Sequence, residues 1–183
     1  QMPRGYNCGV MIKKLESHGL TWLDLESPDQ AELAQIAETY NIHPVALGEL
    51  ATPSARSKVD IYSGFIYLVL HFPTSQKTSK DYFEIDFLIG QNFLITTHYE
   101  PITELVEFSK AFELGPWLHG NHSEKLNGGF IFFYLLRSLY QTEGLALDYI
   151  NQRLRQIEQS VFTGQEKKMV KLLTEVNRDL LDF

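Results

Sequence analysis

The chain has 183 residues, 44% of them hydrophobic, a single cysteine and a formal net charge of −7. That length buries one domain core with a helical appendage, and the acidic balance disfavours a nucleic-acid backbone as partner while mildly favouring cations. The longest apolar run, Phe130 to Leu136, breaks at Arg137, far short of the ~20 residues that cross a bilayer, so a soluble fragment is expected. Gln1-Met2-Pro3-Arg4-Gly5 lacks the apolar stretch of a signal peptide. Cys8 has neither a disulfide partner nor a CxxC neighbour, which fits a reducing compartment.

Thr21-Trp22-Leu23-Asp24-Leu25 alternates apolar and polar side chains, predicting a strand with one covered face. It runs into Ser27-Pro28-Asp29-Gln30, read as a helix start with Ser27 as N-cap, Pro28 at the first helical position and Gln30 in a capping box. Leu33, Ile36, Ala37 and Tyr40 share one face of that helix, which should end near Asn41. His43-Pro44 forces an extended residue before a second, short helix over Pro44 to Leu50.

A β-rich stretch follows: Lys58 to Tyr62, a Ser63-Gly64 turn, and Phe65 to Phe72, whose nearly continuous apolar character predicts burial on both faces. Tyr82 to Ile89 places Phe83, Ile85, Phe87 and Ile89 on one side and Glu84 and Asp86 on the other, which should meet water or another protein. Gly90-Gln91-Asn92 turns the chain into an antiparallel partner, Phe93 to His98. Pro101 opens a helix bearing Ile102, Leu105, Val106 and Phe112, which stops before Gly115-Pro116. The expected fold is a three-layer α/β/α domain with a mixed, largely antiparallel sheet.

From about Ser123 the pattern becomes helical, with Asn121 or Ser123 as the expected cap. Leu147, Ile150, Leu154, Ile157 and Val161 form a coiled-coil-like seam, Thr163-Gly164 a stop, and Met169, Leu172, Leu173, Val176 and Leu180 a second amphipathic helix that folds back. The expected organisation is an α/β domain over residues 1–122 and a long antiparallel helical hairpin over residues 123–183, packed on the domain or extending from it. The apolar periodicity is still running at Phe183, so the chain is expected to continue beyond it.

Trp22-Leu23-Asp24-Leu25 with its capped helix, His43-Pro44-Val45-Ala46-Leu47-Gly48-Glu49-Leu50, and Lys58-Val59-Asp60-Ile61-Tyr62 with the following strand together resemble the CorA family of divalent-cation transporters. The series, in this order and spacing, carries the resemblance. It implies the cytosolic regulatory and assembly domain of a homopentameric transporter of Mg2+ or another divalent cation, with Co2+, Ni2+ and Zn2+ as candidates. The implied location is the cytoplasmic side of the inner or plasma membrane, with membrane contact only through stalk and transmembrane helices after residue 183. Partners are further copies of the chain and divalent cations, with no nucleic acid. By the same resemblance Glu49 falls where relatives place a cation-sensing carboxylate; the often acidic preceding position is here Gly48. A zinc transporter of the same superfamily and a soluble adaptor binding through its hairpin are the alternatives.

Residue by residue, other signals are weaker. Glu84 and Asp86 need no function on a half-exposed strand. His119 and His122 lack a neighbour that completes a metal set, His43 is structural beside Pro44, and His18, His71 and His98 are dispersed. Phe130, Phe132, Phe133 and Tyr134 read as core at the start of a packed helix. No GxxxxGK[ST], GxGxxG after a strand, GxSxG or HExxH is present, and Cys8 has no adjacent His. No enzymatic activity is expected.

Overall fold

Two residues with positive φ, His18 at 52° and Gly19 at 79°, reverse the chain between β1 (Lys13–Ser17) and β2 (Leu20–Glu26). This is the two-residue hairpin turn whose twist matches that of paired strands, and Ser17 pairs with Leu20 across it. The sequence reading has no strand here: Lys13-Lys14-Leu15-Glu16-Ser17 sends a single fully buried side chain, Leu15, into the core, too few for an alternating signal. The structure, a computed structural model, describes residues 12–73, 82–114, 126–161 and 166–181. The expectations for Cys8, His119, His122, the cap at Asn121 or Ser123 and the Thr163-Gly164 stop lie outside the described residues.

Helix α1 (Gln30–Tyr40) starts differently from the expected frame. Asp29, not Ser27, is its N-cap: the carboxylate accepts from Ala31 and Glu32 N–H at 2.8 and 2.9 Å, and Glu32 accepts from Asp29 N–H at 2.9 Å. Ser27 is held elsewhere. With φ 49°, it donates its N–H to His98 O at 2.7 Å and its Oγ–H to Tyr99 O at 3.3 Å, so Pro28 precedes the cap. Asn41, in the left-handed region, closes α1. His43 Nδ1 then accepts from Val45 N–H at 3.2 Å and caps α2 (Pro44–Glu49), with Pro44 in the first turn.

Strands β3 (Lys58–Ile61), β4 (Phe65–Pro73), β5 (Tyr82–Gly90) and β6 (Phe93–His98) complete a sheet of order β1-β2-β6-β5-β4-β3. Among the described strands only β2 and β6 run parallel. Because side chains alternate across a pleated strand, each strand feeds two cores. Leu33 and Ile36 of α1, Ala46 of α2 and Leu50 pack with Leu23, Leu25, Phe65, Tyr67, Val69, Leu88 and Ile95 on one face. On the other, Leu105, Phe108 and Phe112 of α3 (Thr103–Leu114) and Ile131, Leu135 and Leu139 of α4 (Gly128–Val161) pack with Trp22, Phe72, Ile85, Phe87 and Leu94. The expected α/β/α layering and mixed, largely antiparallel sheet are what the chain forms.

Burial on both faces of β4 does not hold. Phe65, Tyr67 and Val69 are buried, whereas Ile66 is 40% exposed and Leu68 and Leu70 are half-buried. The reason is coverage: α4 lies against β2, β6 and β5 and meets β4 at Phe72, beside Tyr140, leaving Ile66 uncovered. Val106, expected on the inner face of α3, is 50% exposed, and Phe108 and Ser109 are buried instead.

Helix α4 begins with Asn127 Oδ1 accepting from Phe130 N–H at 3.1 Å, as an N-cap does. Gly128 lies so close to the β5–β6 turn, with its N–H donating to Gln91 O at 3.1 Å, that a Cβ there would collide with Phe93 O and Gly90 O. Beyond the sheet, α4 packs against α5 (Glu166–Leu181) through Ile150, Leu154, Ile157, Leu172 and Val176. Arg153 and Glu175 bridge the two at 2.9 Å, so the expected hairpin forms, but Leu147 and Leu173, expected in its seam, are exposed, and the side chains of Val161, Met169 and Leu180 lie outside the described ones. Phe132 and Tyr134 join the core beneath α4, but Phe133 is 57% exposed. No helix among the described residues is long and apolar enough to cross a membrane.

Candidate functional site

One group of charged side chains lies on the α1/α2 face, around the end of α2. The cap at His43 and the buried Ala46 and Leu50 fix this helix against the sheet, leaving Glu49 at its last position. Glu49 forms an ion pair with Lys58 of β3, whose ammonium also lies 3.5 Å from Asp60. The Glu49 and Lys58 side chains are 34% and 32% exposed, so the pair is open to solvent on one side. Burial works against the Lys58 charge, but the Glu49 and Asp60 carboxylates outweigh it and hold its pKa above the ordinary value. Gly48, immediately before Glu49, is exposed with open space where a side chain would go.

Below this pair the sheet is unexpectedly polar. Lys58 Nζ lies 5.0 Å from the centre of the Tyr67 ring, within cation–π range. The Tyr67 hydroxyl donates to Asp86 Oδ2 at 3.0 Å. Burial, and then the Asp86 charge, push the Tyr67 pKa far above that of a free phenol, which keeps it a donor. Two strand positions away, both Glu84 oxygens accept from Ser54 N–H at 2.8 and 3.0 Å, and His71 Nε2 lies 3.1 Å from Ser54 O. Glu84 is 7% exposed and Asp86 0%. The half-exposed strand face expected from the sequence is therefore a buried one, because α2 and the segment that follows it fold over these carboxylates. Alternation in β5 alone could not reveal this; the signal lies in Tyr67 and His71, which put polar groups on the same face of the neighbouring strand.

A second polar pair lies on the opposite face, where β2 and β6 run parallel. His98 Nδ1–H donates to Glu100 O at 2.6 Å, and Nε2 lies 3.4 Å from Asp24 Oδ1. Trp22 Nε1–H donates to Thr96 Oγ1 at 3.0 Å, and the Thr96 hydroxyl in turn donates to Asp24 Oδ1 at 2.6 Å. With acceptors on both ring nitrogens, His98 suits the imidazolium form. Burial opposes that charge, yet Asp24 and the Glu100 carbonyl prevail and raise the pKa. Neither polar group offers a complete metal site: among the described residues no three His, Cys, Asp or Glu side chains converge to hold an ion. Glu49 can supply one or two oxygens of a divalent-cation shell, and the remainder must come from water or another chain.

A mixed sheet between two helical layers, extended by a helical hairpin, is the architecture of the soluble domain of CorA from Methanocaldococcus jannaschii. The likeness has a TM-score of 0.62 at 16% identity, over 89% of this chain and 64% of that one. The full-length CmaX protein is similar with a TM-score of 0.69 at 14% identity, over 98% of this chain and 54% of CmaX. In sequence, the chain is 20% identical over 159 residues to the magnesium transporter ALR2 of Saccharomyces cerevisiae, covering 85% of this chain but 18% of ALR2. Residues 17–183 match the family described as CorA-like Mg2+ transporter protein, and the chain belongs to that family. It spans about half the length, or less, of the curated relatives it matches.

Proposed function

We propose that the chain is the cytosolic regulatory and assembly part of a divalent metal ion transporter, with magnesium as the first candidate cargo. The match to the CorA-like family over residues 17–183 carries this reading. Within it, residues 1–122 act as the α/β body and residues 123–183 as the hairpin, with the first turns of α4 shared between them. The full-length protein works as a homo-oligomer, a pentamer by analogy with the family, on the cytoplasmic face of the membrane. Glu49 is the proposed cation ligand. Its partly exposed position at the end of a fixed helix lets a neighbouring copy complete the coordination shell, so that bound cation offsets repulsion between acidic subunits.

Titrating the chain with Mg2+, Co2+, Ni2+ and Zn2+ by calorimetry, alongside sedimentation, tests the proposal. Cation binding or association that weakens in Glu49→Ala is the expected result. No response at millimolar concentrations in either protein removes Glu49 as a ligand within this chain.

A further inference from the structure

The Glu84 and Asp86 carboxyls take no part in the proposed cation site at Glu49. Asp86 Oδ2 has its donor in Tyr67, but no donor among the described residues reaches Asp86 Oδ1, although the residue is fully buried. Thr97, directly across on β6, also has a buried hydroxyl without a partner among the described residues. Glu84 stands two residues before Asp86 on the same face of β5. An ionised carboxylate only accepts hydrogen bonds, so a fully buried Asp86 with one oxygen unpartnered is favoured in its protonated form.

We propose that Asp86 keeps its proton at neutral pH, and that this proton is a pH-sensitive latch holding residues 51–57 over the sheet. The segment has no regular secondary structure and is fastened by the side chains beneath it. Glu84 takes Ser54 N–H, while His71 reaches Ser54 O through Nε2 at 3.1 Å and Ser57 Oγ through Nδ1 at 3.0 Å. When that proton leaves to bulk water, the Asp86 charge adds to the Glu84 carboxyl on the same buried strand face, in a medium that solvates charge poorly. The groups that face them offer little relief. Tyr67 and Tyr99 stay neutral because burial, and then nearby carboxylates, raise their pKa values. Lys58 attracts the Asp86 charge but is engaged by Glu49 and Asp60, Glu49 adds further negative charge, and His71 Nε2, 3.4 Å from Glu84 Oε2, reaches Glu84 and Ser54 O but not Asp86 Oδ1. Lifting residues 51–57 readmits water to the pair without breaking any strand pairing. Burial, followed by the Glu84 charge, pushes the Asp86 carboxyl up to about 8, so the latch would work from neutral to mildly alkaline pH. It does not depend on Glu49 binding a cation.

The test combines carboxyl carbon NMR titration of the whole chain with amide exchange at Ser54 to Ser57, corrected for the intrinsic pH effect. The expected result is an Asp86 carboxyl that remains protonated at pH 7, and exchange that accelerates about tenfold between pH 8 and 9 while the amides of β2 do not follow. Asp86→Asn, which keeps the shape of the neutral acid, should retain protection across this range. Ionisation of both carboxyls below pH 5, or exchange of 54–57 that only tracks the rest of the sheet, overturns the latch. If Asp86→Asn does not fold, the wild-type titration decides alone.

Discussion

The Glu49 carboxylate is paired with the Lys58 ammonium, tying the end of α2 to the edge strand β3. Any cation that takes Glu49 as a ligand competes with this ammonium. Removing it in Lys58→Met should therefore raise the affinity for Mg2+ in calorimetry if Glu49 is a ligand, and leave the baseline unchanged if it is not. Because both side chains are about one-third exposed, the pair is expected to contribute at most about 1 kcal/mol to stability. A much larger loss in urea unfolding would show that Lys58 acts mainly through its contact with Tyr67.

Gly48 lies beside Glu49 with open space around the position of a Cβ. Gly48→Glu is expected to fold normally and to strengthen divalent-cation binding by placing a second carboxylate near the first. Gly48→Ala serves as the control, with no change in binding and a gain of about 0.5–1 kcal/mol from helix propensity. Equal binding by the two variants would argue against a cation site at the end of α2.

His98 predicts a pH dependence of stability whose sign follows from its raised pKa. The folded state holds the proton more tightly than the unfolded chain, so the stabilisation is complete below about pH 6.5, the unfolded value. It is lost as pH rises through the folded value. Unfolding free energies of the wild type and Asp24→Asn, measured between pH 6 and 9, should converge toward the alkaline end. Parallel curves would show that Asp24 does not set the charge on His98.

Gly128→Ala should destabilise the chain by about 1–3 kcal/mol, as overpacking against an immobile backbone does. The added methyl group meets the carbonyls of Phe93 and Gly90, which cannot rotate away as a side chain could. Gly144→Ala, in the same helix with open space at its Cβ, should instead be neutral or stabilising. A thermal melt of the two variants distinguishes steric contact from helix propensity.

Where local chemistry alone sets an element, the sequence was enough to find it. Asn41 ends α1, His43-Pro44 starts α2, and Ser63-Gly64 separates β3 from β4, each through backbone preferences of the residues themselves. The cap of α1 was misread because Ser27 and Asp29 are both good caps, and the choice between them is made by His98 and Tyr99 some seventy residues away. The position of Glu49 at the end of α2 was legible; its pairing with Lys58 was not, since it depends on β3 returning beside the helix.

The sequence by itself determined the alternation of strands and helices, the two faces of most strands, the hairpin seam and the family, because these follow from periodicity, turn residues and an ordered series of short motifs. Only the tertiary structure decided that β1 joins the sheet, that β2 and β6 lie side by side in parallel, and that Glu84 and Asp86 are buried. Alternation tells which residues share a face, but whether that face meets water depends on what packs over it. Here the cover is α2 and residues 51–57, brought there by a sheet whose strand order is not the order of the chain.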